Sequence, residues 1–110
     1  MSDINIDVTV NNGIFSYSRD GEPFDGSVDI NSPTNIIYRL TNTDGTVFLQ
    51  PRISDDVNHD ITSHQISDGG LTLTLVDIDK STETICLQLQ VKLPDGTSLY
   101  SPDPKIRDKN

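Results

Sequence analysis

Residues 71–91 read LTLTLVDIDKSTETICLQLQV. Leu71, Leu73 and Leu75 alternate with Thr72 and Thr74, and Ile85, Leu87, Leu89 and Val91 alternate with Cys86, Gln88 and Gln90. Period-two alternation sets each apolar series on one face of a pleated strand. The polar connection between them has room for one helical turn at Ser81-Thr82-Glu83 and no more. Two strands cannot bury two such faces alone, so the rest of the chain has to supply a facing sheet.

Outward from this pair, the same alternation recurs. Ile4, Ile6, Val8 and Val10 form a half-buried first strand, and Asn12-Gly13 turns it into a second over residues 14–18. Phe24, Val28 and Ile30 are expected to touch the core within a broken stretch. Residues 35–42 and 46–50 read as strands joined by Asp44-Gly45, with Pro51 ending the second or marking it as an edge. Residues 52–60 read as a polar loop and 61–67 as a strand. Pro94-Asp95-Gly96 closes a last hairpin returning over 97–100. Five Asp-Gly pairs punctuate the chain without a fixed period, so no repeat is read.

Composition agrees. The chain of 110 residues has no Ala, two Glu and fifteen Asp, which disfavours helices and favours turns. Leu, Ile, Val and Phe together number 31, enough for a thin two-layer core. The fold expected is all-β, an antiparallel sandwich of about 7–9 strands. One domain is expected over 1–101, with an extended or flexible C-terminal tail over 102–110. The net charge of −9 argues against nucleic acid and against an anionic membrane surface, and no stretch is long and apolar enough for a membrane helix. Cys86 has no disulfide partner in the chain, and MSDINIDVTV has no secretory pattern, so a cytoplasmic location is expected.

The later part, strand–polar connection–strand–hairpin over residues 71–100, resembles immunoglobulin-like domains. It lacks their core Trp and disulfide, and Thr84 stands where many of them carry Tyr. The whole chain resembles the small bacterial DP-EP proteins. The likeness lies in its length, the opening INIDVTV, and the closing SPDPKIRDKN with its Ser101-Pro102-Asp103-Pro104 core. That resemblance implies a bacterial protein with no established activity and transfers no catalytic residues.

The densest polar cluster is Asp55, Asp56, Asn58, His59 and Asp60. Its hard oxygen donors make Asp55, Asp56 and Asp60 candidate Ca²⁺ ligands, against the alternative of a solvated loop. Asp77 and Asp79 join them if the sandwich brings these loops to one end. His59 and His64 lie five apart and point to opposite strand faces, which disfavours zinc. No Gly-x-Ser-x-Gly, Walker loop or GxGxxG occurs, so no catalytic residue and no cofactor is assigned. Cys86 lies between apolar neighbours and reads as a packed side chain. The tail puts Lys105, Ile106 and Arg107 together on an acidic chain, a candidate for docking on its own acidic surface or on a neighbour. The function expected is a non-catalytic protein-binding or assembly module working through a protein partner or self-association. A Ca²⁺-binding sandwich is the alternative, ahead of an enzyme.

Overall fold

The computed structural model describes residues 2–102 and 104–109. It is all-β, with 11 strands among the described residues. These are β1 (Ser2–Asn11), β2 (Ile14–Arg19), β3 (Glu22–Phe24), β4 (Val28–Ile30), β5 (Thr34–Leu40), β6 (Val47–Ser54), β7 (Ile61–Ser67), β8 (Thr72–Asp77), β9 (Thr82–Lys92), β10 (Ser98–Tyr100) and β11 (Lys105–Lys109). One sheet has the order β3-β2-β1-β5-β8-β7. In the other, β9 pairs with β6 on one side and with β10 and β11 on the other, and β4 lies beyond β11.

The two sheets pack as a sandwich on the faces that the alternation predicts. Leu73 and Leu75 of β8 lie beside Ile6, Val8, Ile36 and Tyr38 of β1 and β5 on the inner face of one sheet, Ile85, Leu87 and Leu89 of β9 come from the other sheet, and all are buried. Leu71 falls outside the pattern. It follows a 3-10 turn over Asp68–Gly70 and stays 38% exposed. No helical turn forms between β8 and β9.

Both sheets are mixed, where a wholly antiparallel arrangement was expected. β1 runs parallel to β5, and β11 runs parallel to β4. The cause is β4. After the β1-β2-β3 meander the chain crosses to the other sheet for three residues, then returns as β5 beside β1 with β1's direction.

Of the two roles expected of Pro51, an end or an edge, the structure shows the edge: β6 pairs with β9 alone and continues to Ser54. The register shifts between Leu49 and Arg52, so the residue lacking an N–H falls at an irregularity on a strand paired on one side only.

The segment 105–109, read as part of a tail outside the sandwich, is an inner strand between β9 and β4. Of the 102–110 tail, Asp103 and Asn110 lie outside the described residues. Pro102 and Pro104 fall in the gap between β10 and β11, where substitutes carry the ladder. Ser101 N–H donates to the Leu89 carbonyl at 2.8 Å, Ser101 Oγ accepts from Leu89 N–H at 2.9 Å, and the Pro104 carbonyl accepts from Leu87 N–H at 3.1 Å. Pairing resumes at Lys105, opposite Cys86.

Candidate functional site: a buried acidic centre

Three strands carry an acid at the end of an inward-facing row. On β8 the row Leu73-Leu75 runs on to Asp77. On β11 the row begun by Ile106 runs on to Asp108. On β9 the row Ile85-Leu87 is preceded by Glu83, directly across from Asp108. The pleat therefore aims all three acids into the end of the core.

A fourth acid, Asp60, arrives from the loop before β7. That loop is built by Asp56, whose carboxylate accepts from Asp60 N–H at 2.8 Å and Ile61 N–H at 3.1 Å, and whose carbonyl accepts from His59 N–H. The Asp60 carbonyl in turn accepts from Ile78 N–H at 2.9 Å, which ties the loop to the β8–β9 connection. Asp55, His59 and Asp79 hold left-handed backbone in these two loops, with φ of +62°, +55° and +50°. Such strain is tolerated where surrounding contacts over-determine it.

Asp60, Asp77 and Asp108 thus meet, one from a loop and one from each sheet. An oxygen from each lies within 4.8 Å of the others. Their exposures are 0%, 0% and 2%. Asp60 Oδ2 accepts from Ser81 N–H and Oγ–H, and Asp77 Oδ1 accepts from Asp79 N–H. With the acids ionised, Asp60 Oδ1, Asp77 Oδ2, both oxygens of Asp108 and Glu83 Oε1 meet no hydrogen-bond donor, and only a proton on Asp108 lets it bond to its neighbouring carboxylates. Among the described residues no Lys or Arg pairs with these acids. The ion pair of β11 is Arg107–Asp29 at 2.6 Å, on the opposite face of the strand.

Burying unpaired carboxylates is costly, and a protein escapes by protonating them or by binding a cation. Burial, reinforced by Asp77 and Asp60, pushes the Asp108 carboxyl up to about 10. Burial also raises Asp77, and it raises Glu83 together with Asp56. For Asp60, burial works upward, but hydrogen bonds from a protonated Asp108 and from Ser81 outweigh it and lower that carboxyl. Two ionised carboxylates cannot hydrogen-bond each other. Metal-free, the centre holds together only by sharing a proton.

Of the loop candidates, Asp60 is in the centre, Asp56 scaffolds it through backbone N–H groups, and Asp55 turns away to accept from Cys86 Sγ at 3.3 Å. Asp77 joins as the loop geometry allowed. Asp108 was missed, although its parity with Ile106 marks it as inward. Ile106 is fully buried in the core, Arg107 is held by Asp29, and Lys105 remains on the surface. A depression of about 560 Å³ is an open groove lined by Phe15, Tyr17, Pro23 and Phe24, with none of these acids in its lining.

Fold and site together define the class: a small β-sandwich with a buried cluster of carboxylates joining its two sheets. The DP-EP family model matches residues 2–110, and the chain belongs to that family. A search among curated proteins finds no match. No helix among the described residues is long and apolar enough to cross a membrane.

Proposed function

We propose that the protein is a non-catalytic binding module whose ligand is Ca²⁺, held by Asp60, Asp77 and Asp108. The observation that supports this reading best is Asp108, a carboxylate 2% exposed with both oxygens unpartnered and directed at two more buried acids. Ca²⁺ takes six to eight oxygens at about 2.3–2.6 Å. An oxygen from each of the three acids lies within 4.8 Å of the others, close enough for one ion to bridge them. Mg²⁺ retains several waters and demands a tighter octahedron, which a water-excluding site serves poorly. Glu83, across from Asp108, is placed to add donors. The acids are closed off from solvent, which favours a held ion over attack on a substrate.

Thermal unfolding with and without Ca²⁺ tests the reading, because a ligand bound only by the folded state raises Tm. At a hundredfold excess over Kd the gain is about 2.7 kcal/mol. Asp77→Asn and Asp108→Asn are expected to abolish the response, and Asp55→Asn to keep it. An unchanged wild-type Tm in millimolar Ca²⁺, with no heat in calorimetric titration, would refute the proposal.

A further inference from the structure

An ion cannot reach three acids that are 0–2% exposed unless some element moves. The 55–60 loop is pinned by Asp56 and by Ile78, and β8 is an inner strand between β5 and β7. β11 differs: it is five residues long and is reached through residues 101–104, which carry two prolines. Seated, it fills the slot between β9 and β4. It buries Ile106 and sets Arg107 on Asp29. It also drives the unpartnered Asp108 against two acids of the other sheet. Its ladder and its apolar residue favour seating, and its carboxylate opposes it. A cation reverses the sign of that last contribution and turns Asp108 into a cross-link between the sheets.

We infer that β11 is an exchangeable strand whose release Ca²⁺ slows by bridging Asp108 to the other sheet, and that once the ion is removed the β9–β4 slot exchanges its own strand for β11 of a second copy. This rests on the Ca²⁺ reading. The occupant follows from chemistry. The slot presents Val28, Ile30 and Ile85 to one face of a strand and Asp29 to the other, which suits the alternation of KIRDK. Lys105, Arg107 and Lys109 hold three of the eight Lys and Arg of a chain whose net charge is −9, so the strand is attracted to the body of any copy. An identical strand restores every contact of the closed form, the acidic centre included, so the ion governs how fast strands exchange and protein concentration governs which copy supplies them.

Cross-linking reads whose strand fills the slot. Asp29 and Arg107 are direct neighbours, so a full-length Asp29→Cys/Arg107→Cys protein in a Cys86→Ser background is oxidised at high concentration. Within-chain cross-links are expected in Ca²⁺, and covalent dimers after preincubation in EGTA. Hydrogen exchange of the wild-type amides of residues 105–109 is the second readout, and is expected to accelerate at least tenfold in EGTA while β1 and β5 stay protected. Calorimetric Ca²⁺ titration of the same wild-type sample separates the failures. Bound Ca²⁺ with unchanged exchange and no dimers overturns the strand lock and leaves the cation reading standing. No bound Ca²⁺ overturns both.

Discussion

Asp108 shows how one residue can oppose the strand that carries it. In the metal-free protein its carboxyl is raised from its ordinary 3.8 to about 10, so across neutral pH the folded state keeps a proton that the unfolded chain has released. Stability then falls as pH rises, since the folded state binds more protons than the unfolded one. Asp29, Asp44 and Asp95 are shifted the other way, by Arg107 or by hydrogen bonds from Thr46 and Thr97, and lose their contribution only below the ordinary carboxylate range. In EGTA the wild-type Tm is therefore expected to decline between pH 5 and pH 9. Asp108→Asn should flatten that decline. Saturating Ca²⁺ should remove the slope from the wild type, because the ion takes the place of the proton. A wild-type slope unchanged in Asp108→Asn would mean that the acid is not the group responsible.

Strands carried by five or more alternating residues were readable before any coordinates: β1, β5, β8 and β9 follow the apolar parity of Ile4, Ile36, Leu73 and Ile85. β3 and β4 were not, because three residues hold too few alternations to set a period. β11 was obscured by Pro102 and Pro104, whose missing N–H groups argue against a central strand until Ser101 is seen to carry the ladder around them. The acidic centre was half visible. Asp60 stood out by composition and Asp77 entered on the condition that the loops meet at one end, whereas Asp108 needed the parity of its strand extended one step past the last apolar residue. The status of β11 is measurable: Ile106→Ala should cost about 2–5 kcal/mol in denaturant unfolding, as for a packed core position. Leu71→Ala, at a site 38% exposed, should cost far less. Turns differ in the same way. Gly45 and Gly70 both have left-handed φ, but a Cβ at Gly45 meets nothing, while one at Gly70 lies 2.7 Å from Val47 Cβ on β6. Gly45→Ala should show the backbone penalty of about 1 kcal/mol, and Gly70→Ala more, because a branched carbon fixed to a strand cannot step aside. Equal losses would show that the β6 contact yields easily.

Across the whole molecule, a net charge of −9 disfavours the compact state through self-repulsion, so any added cation raises stability to some degree by screening. A Ca²⁺ effect counts as binding only if it separates from that background, and the two have different signatures. Screening depends on ionic strength, acts on exposed charges and ignores single residues. It should raise the Tm of wild type and Asp108→Asn alike as NaCl goes from 20 to 200 mM. Site binding saturates, needs ionised Asp60, Asp77 and Asp108, and works at concentrations too low to alter the Debye length. At a constant 150 mM NaCl, Ca²⁺ below 1 mM is expected to raise the wild-type Tm by several degrees, since a gain near 1 kcal/mol moves a domain of this size by roughly 4–8 °C. Mg²⁺ at the same concentration should do much less, and neither ion should move Asp108→Asn. If Ca²⁺ and Mg²⁺ act equally, and equally on the variant, the ions are reporting the surface field of an acidic chain, and the buried carboxylates are held by their shared proton alone.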